Sequence, residues 1–207
     1  MATTTISYSY DYYLRSIYSS NRFARKSENR STITNKELVQ ADSDAMKKIT
    51  EKLRDLEYSS DNASEVLTDV KMFIETYNNL ISSTEENSSD EVARLQKQIT
   101  QLTKDHKDEL ESLGISINSS NKLTLDKSKF GECSPSKIKR FFGKDSDYIS
   151  SIRNYSLRAK RLARRQVETA PEETSETKNK TTQAAESDLL QSLLAYPENG
   201  STFDAKS

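Results

Sequence analysis

From Asn35 the chain repeats apolar residues with the period of a helix. Val39, Met46, Ile49, Leu53 and Leu56 recur at three- and four-residue steps, interrupted at Asp42, up to a polar break at Ser59–Asn62. A second stripe follows from about Ala63 to Ser83, through Val66, Leu67, Val70, Phe73, Ile74, Tyr77, Leu80 and Ile81. The polar run EENSSD ends it, and Ser89 or Asp90 is placed to cap a third helix. That helix carries Val92, Leu95, Ile99, Leu102, His106, Glu109 and Leu113 at heptad a and d spacing, with Leu110 beside Glu109.

At Gly114, suited to a left-handed C′ position, the period changes to two. Ile115 and Ile117, the turn NSSN, then Leu123 and Leu125 predict one β-hairpin. Asp126 can cap a short turn to Phe130. Ser134-Pro135 is a cap followed by proline at the first helical position, opening a short helix with Ile138, Phe141 and Phe142 that Gly143 ends. A fourth long helix spans about Asp147 to Val167, with Ile149, Ile152, Tyr155, Ala159 and Leu162 inward.

The flanks differ. Residues 1–34 are rich in Ser, Thr, Tyr and Arg without a sustained period, and read as a flexible arm with a short helix around Tyr10–Tyr18. Residues 168–207 read as a disordered polar tail. Within it, residues 188–196 form a short amphipathic segment with Leu189, Leu190, Leu193 and Leu194, suited to docking in a groove. The fold expected is all-α: an elongated antiparallel helical bundle or coiled coil over residues 35–167, with the hairpin near 115–125 and disordered termini.

Composition narrows the function. Only 33% of the residues are apolar, and Lys+Arg 31 nearly balances Asp+Glu 32. Such a body is expected to complete its burial against copies of itself or a partner, through Val66, Val70, Phe73, Tyr77 and Leu80 facing Val92, Leu95, Ile99 and Leu102. One cysteine and one histidine exclude a disulfide framework and make a one-chain zinc site implausible. With 4 Gly there is no phosphate-cradling loop. No cofactor, no small-molecule substrate and no catalysis are expected. Cys133 lacks a nearby base, and His106 reads as a polar interruption of a seam.

Three segments together resemble a known family. VKMFIETYNNLISS (Val70–Ser83) is similar to a helix with apolar-Phe ahead of Tyr-Asn. LGISINSSNKLTLDKSKF (Leu113–Phe130) resembles an apolar-Gly-Ile strand, a short turn, and apolar-x-Leu-Asp before a helix. SKIKRFFGKDSDY (Ser136–Tyr148) looks like a short helix ending in Phe-Phe before a loop. In this order they resemble the bacterial flagellar filament-cap (hook-associated protein 2) family. The single hairpin would make this chain a short relative without that family's large inserted β-rich domains.

The resemblance implies an extracellular structural component of the flagellum, exported without a cleaved signal. It would form homo-oligomers or join flagellin and other axial proteins, support filament assembly, and in some members take part in adhesion. A cytoplasmic coiled-coil adaptor or export chaperone is the alternative. A third reading is a nucleic-acid or membrane-surface binder. Ser136 to Arg165 holds ten basic residues against Asp145 and Asp147, interleaved with Phe141, Phe142, Tyr148 and Tyr155. The acidic residues that follow (Glu168, Glu172, Glu173, Glu176) argue against it.

Overall fold

A computed structural model describes residues 3–168, with side chains described from residue 10 to 165. Among the described residues the chain is mostly helical, with one two-stranded antiparallel hairpin. The predicted tail, with Leu189, Leu190, Leu193 and Leu194, lies outside the described residues.

Helix α1 (Thr3–Ile17) leads through a 3-10 turn (Arg22–Arg25) and α2 (Ser27–Arg30) into α3 (Asn35–Asp55). The entry to α3 is fixed by a capping box: Thr34 Oγ1 accepts from the Glu37 amide, and the Glu37 carboxylate accepts from the Thr34 amide. Then come α4 (Ala63–Glu85), α5 (Asp90–Asp105) and α6 (Lys107–Ser112). Strands β1 (Ile115–Ile117) and β2 (Leu123–Leu125) pair with Ile115 opposite Leu125. The chain closes with α7 (Lys127–Gly131), α8 (Pro135–Phe142) and α9 (Asp147–Glu168). Asp126, Ser134 and Ser146 cap the last three helices through their side-chain oxygens.

The most extensive helix contact is α3 against α9. The pairs Lys160–Asp44 (2.6 Å) and Arg153–Glu51 (2.7 Å) set them antiparallel. That register puts Ala41 opposite Ala163 and Ala45 opposite Ala159, all buried, with buried Ser43 and Ser156 beside them. Small side chains let two backbones approach closely, so dispersion contacts do there what bulky residues do elsewhere. Helix α4 covers a second side of α3, and α5 packs on both α4 and α9.

Aromatic rings fill the junction of α4, α8 and α9. Phe73 lies 5.5 Å from Phe142 and 6.3 Å from Tyr148, ring to ring, and Phe141 stacks on Tyr148 at 4.9 Å. The Tyr77 hydroxyl donates to Thr103 Oγ1 (3.0 Å), with the Tyr148 hydroxyl 3.3 Å from the same oxygen. Burial, slightly offset by the Thr103 hydrogen bond, pushes the Tyr77 phenol up to about 12.

Several expectations change here. Residues 10–34 are not a free arm: Leu14, Ile17, Tyr18 and Ala24 are buried in the core. Asp42 does not break α3; it is buried within the helix and paired with Arg30 at 2.7 Å. The third helix is not continuous to Leu113. It ends at Asp105, because His106 leaves helical geometry (φ -100, ψ 18) to start α6. Consequently Glu109 points to solvent and Leu110 takes the buried place.

Candidate functional site

The residues expected to face a partner are inside a single chain. Val66, Val70, Phe73, Tyr77, Leu80, Val92, Leu95 and Ile99 are all buried, with at most 3% of their surface exposed, and Leu102 packs half-buried against the same core. Their interdigitation is therefore intramolecular, which removes them from any surface that copies could share. The apolar stripes looked incomplete because α1 and the Ala/Ser face of α9, which help enclose the core, carry little hydrophobic signal.

A polar clamp ties α4 to the hairpin. The Asn78 side chain donates through Nδ2 to the Leu123 carbonyl (2.9 Å), and its Oδ1 accepts from the Leu123 amide (2.7 Å). One amide side chain thus satisfies both backbone groups of a β2 residue, acting as a third strand of one residue's length. Next to it, Asn79 donates to the Tyr18 hydroxyl (2.9 Å), which donates to Asp42 (3.1 Å). The adjacent asparagines hold two different segments against one helix.

Two cavities accompany this framework. One of about 240 Å³ lies between His106, Glu109, Lys137, Arg140, Phe141 and the start of α9. His106 Nδ1 is 2.6 Å from the Glu109 carboxylate, and its ring meets the Tyr148 ring edge-on at 5.2 Å. Acids and bases are balanced around this cavity, so it favours no single charge of ligand. The other, about 280 Å³, is lined by Tyr58, Ala63, Leu67, Phe130, Cys133 and Ile138 among others. The Cys133 thiol donates to the Lys129 carbonyl (3.4 Å), and no imidazole lines that cavity. Among the described residues, no group of three His, Cys, Asp or Glu side chains could hold a metal ion, and no helix is long and apolar enough to cross a membrane.

The basic stretch divides between two directions. Arg153 and Lys160 turn toward α3 and its acids, whereas Arg158, Arg161, Arg164 and Arg165 are exposed along the seam with α5. Phe141, Phe142 and Tyr148 are buried and Tyr155 is half-buried, so they offer no open ring faces for stacked bases. No family profile, curated protein or solved structure matches the chain.

Proposed function

We propose that the chain is a structural component of the bacterial flagellum, a short relative of the filament-cap family, without enzymatic activity. One observation carries this reading: the three segments that bear the resemblance pack on one another. Asn78 of the first holds the Leu123 backbone of the second, and Phe73 of the first meets Phe142 of the third. Three segments shared with a family as one unit are expected to pack on one another in this way.

Assembly with axial proteins then uses exposed surface, because the apolar seams are consumed within the fold. The test is fractionation of the bacterium that makes the protein. Detection in sheared filaments, together with flagellin lost to the medium when the gene is deleted, supports the reading. Confinement to the cell lysate with filaments unchanged by deletion overturns it in favour of the cytoplasmic adaptor or chaperone.

A further inference from the structure

Along the α5–α9 seam the two helices run antiparallel, in a register marked by Glu91 with Arg165 (4.0 Å) and Gln98 with Arg158 (3.3 Å). Between these matched positions, at three- and four-residue steps on both helices, the register sets Arg94 across from Arg161. Both are exposed, and neither has a carboxylate partner among the described residues. The register thus brings two cations to the same stretch of an otherwise complementary seam, and Arg161, with Arg158 and Leu162, lines an open concavity of about 420 Å³ there. Guanidinium groups in this arrangement offer forked donors to carboxylate or phosphate.

The opposite charge lies at the other end of the α3–α9 pair. The end of α3 and the connection to α4 carry Asp55, Glu57 and Asp61, all exposed and without a cation partner among the described residues. The cations near it in the chain are Lys52, which pairs with Asp69 and Glu65, and Arg54. Because α3 and α9 are antiparallel, this acidic loop sits at the far end from Arg161.

We propose that the cationic α5–α9 seam receives the Asp55–Asp61 loop of a second copy of this chain, so that copies associate head to tail. Such a contact joins different surfaces on its two sides, and it leaves one cationic seam and one acidic loop free at the ends. A protein carboxylate suits the seam better than a nucleic acid does. Glu91 lies within it, no aromatic ring is among the described residues lining its concavity, and the whole chain has net charge -1, which gives no long-range pull on a polyanion. The proposal stands independently of the flagellar reading, since it concerns the purified protein wherever the cell places it.

The test is sedimentation velocity of the full chain at low and raised salt. Wild-type protein associates with increasing concentration at low salt and dissociates as salt is added. Arg94→Glu with Arg161→Glu weakens association at least ~tenfold, as reversing facing charges should. Asp55→Lys with Glu57→Lys and Asp61→Lys does the same. An equimolar mixture of the two variants associates again, a rescue that misfolding of either would not produce. Three results overturn the proposal: a wild type monomeric at every concentration, an arginine variant that associates like wild type, or a mixture that stays monomeric. Salt-sensitive binding of a fluorescent single-stranded oligonucleotide by a monomeric wild type, lost in the arginine variant, would instead assign the seam to a polyanion.

Discussion

Arg30 lays its guanidinium across the carboxylate of Asp42 with two hydrogen bonds, at 2.9 and 2.7 Å, and Asp42 has no exposed surface. Arg30 also donates to the Ala24 carbonyl at 2.7 Å, so one side chain joins the segment ahead of α3 to the middle of that helix. Removing one partner of a buried pair strands the other charge away from water. Arg30→Ala is therefore expected to lower unfolding free energy by ~3–5 kcal/mol, while Arg30→Met with Asp42→Leu recovers only part of that loss, because the buried Tyr18 hydroxyl then lacks its acceptor and the Ala24 carbonyl its donor. Urea denaturation followed by circular dichroism measures both; a single variant as stable as wild type would mean the carboxylate is hydrated after all.

Phe73 decides whether the apolar stripes serve the fold or an assembly. Its ring is fully buried against Tyr77, Phe142 and Tyr148 of the same chain. Phe73→Ala should cost ~3–5 kcal/mol through the cavity it leaves. The loss should be the same in dilute and concentrated solution. A denaturation midpoint that depends on protein concentration for wild type but not for the variant would place the ring at an interface between copies.

How much of this could be read from the residues follows from which forces leave a periodic trace. Bulky apolar residues do, so α4, the hairpin and α8 sit close to where Val66–Ile81, Ile115–Leu125 and Ile138–Phe142 predict them. Gly114 adopts the left-handed conformation (φ 76) that its position after Leu113 suggests. The contact of α3 with α9 is built on alanine and serine, whose small area makes a weak stripe however closely it packs. Residues 10–34 are anchored by Tyr18, Arg30 and Asp42, partners far apart in sequence and polar in type, so periodicity reads the first as arm and the last as a break. His106 fits heptad spacing, yet the backbone turns non-helical there, with the ring packed against Phe141 of α8 and Tyr148 of α9, partners that heptad spacing does not name. The Asn78 clamp was visible only as part of a Tyr-Asn motif, with nothing local to name Leu123 as its partner.

Asn78→Ala deletes both hydrogen bonds to Leu123 and leaves that residue's amide and carbonyl without them, which should cost ~2–3 kcal/mol. Asn78→Asp keeps the acceptor but sets a second carboxylate oxygen against the Leu123 carbonyl, so it should not restore stability. Amide hydrogen exchange offers the sharper reading. Protection should fall first at residues 115–125, well before the α3 and α9 amides. Uniform loss across the chain would show that the clamp has no local role.

Acid should loosen the α3–α9 contact. Burial alone would raise the Asp44 carboxyl, but hydrogen bonds and attraction from Lys160 and Lys48 outweigh it and hold the group below its ordinary value. Glu51, less buried, is lowered in the same way by Arg153 and Lys47. Groups whose folded pKa is depressed contribute stability that is complete above the unfolded value, about 4, and is lost as pH falls through the folded value. Asp69 acts oppositely. Burial raises it despite Lys52, so its contribution diminishes as pH climbs from the ordinary carboxylate value through the raised one. Denaturation midpoints taken as a function of pH should therefore show a shallower acid limb in Asp44→Asn. In Asp69→Asn the opposing slope just above pH ~4 should vanish. Identical pH profiles for wild type and Asp44→Asn would discount the Lys160 pair.

Glycine substitutions should separate backbone conformation from crowding. At Gly114 both oppose a side chain: φ is 76, and an added Cβ would meet the Asp126 carbonyl at 3.0 Å and the Phe130 amide at 3.1 Å. At Gly143 the backbone is extended (φ -77, ψ -173), but a Cβ would collide with the Lys139 carbonyl, whose oxygen accepts the Gly143 amide that closes α8. Gly131 lies at the end of α7 with nothing within 4 Å of such an atom. Alanine should therefore destabilise at 114 by ~1–2 kcal/mol, more than Gly-to-Ala substitutions alter at unstrained sites. At 143 it should destabilise by forcing α8 to end differently, with the loss traced to the Phe141 and Phe142 rings. At 131 it should be neutral or stabilise by up to ~1 kcal/mol, since alanine is the better helix former. Thermal unfolding of the three variants should rank 131 above wild type or equal to it, and both others below; a destabilised Gly131→Ala would mean that α7 is packed against something at that position.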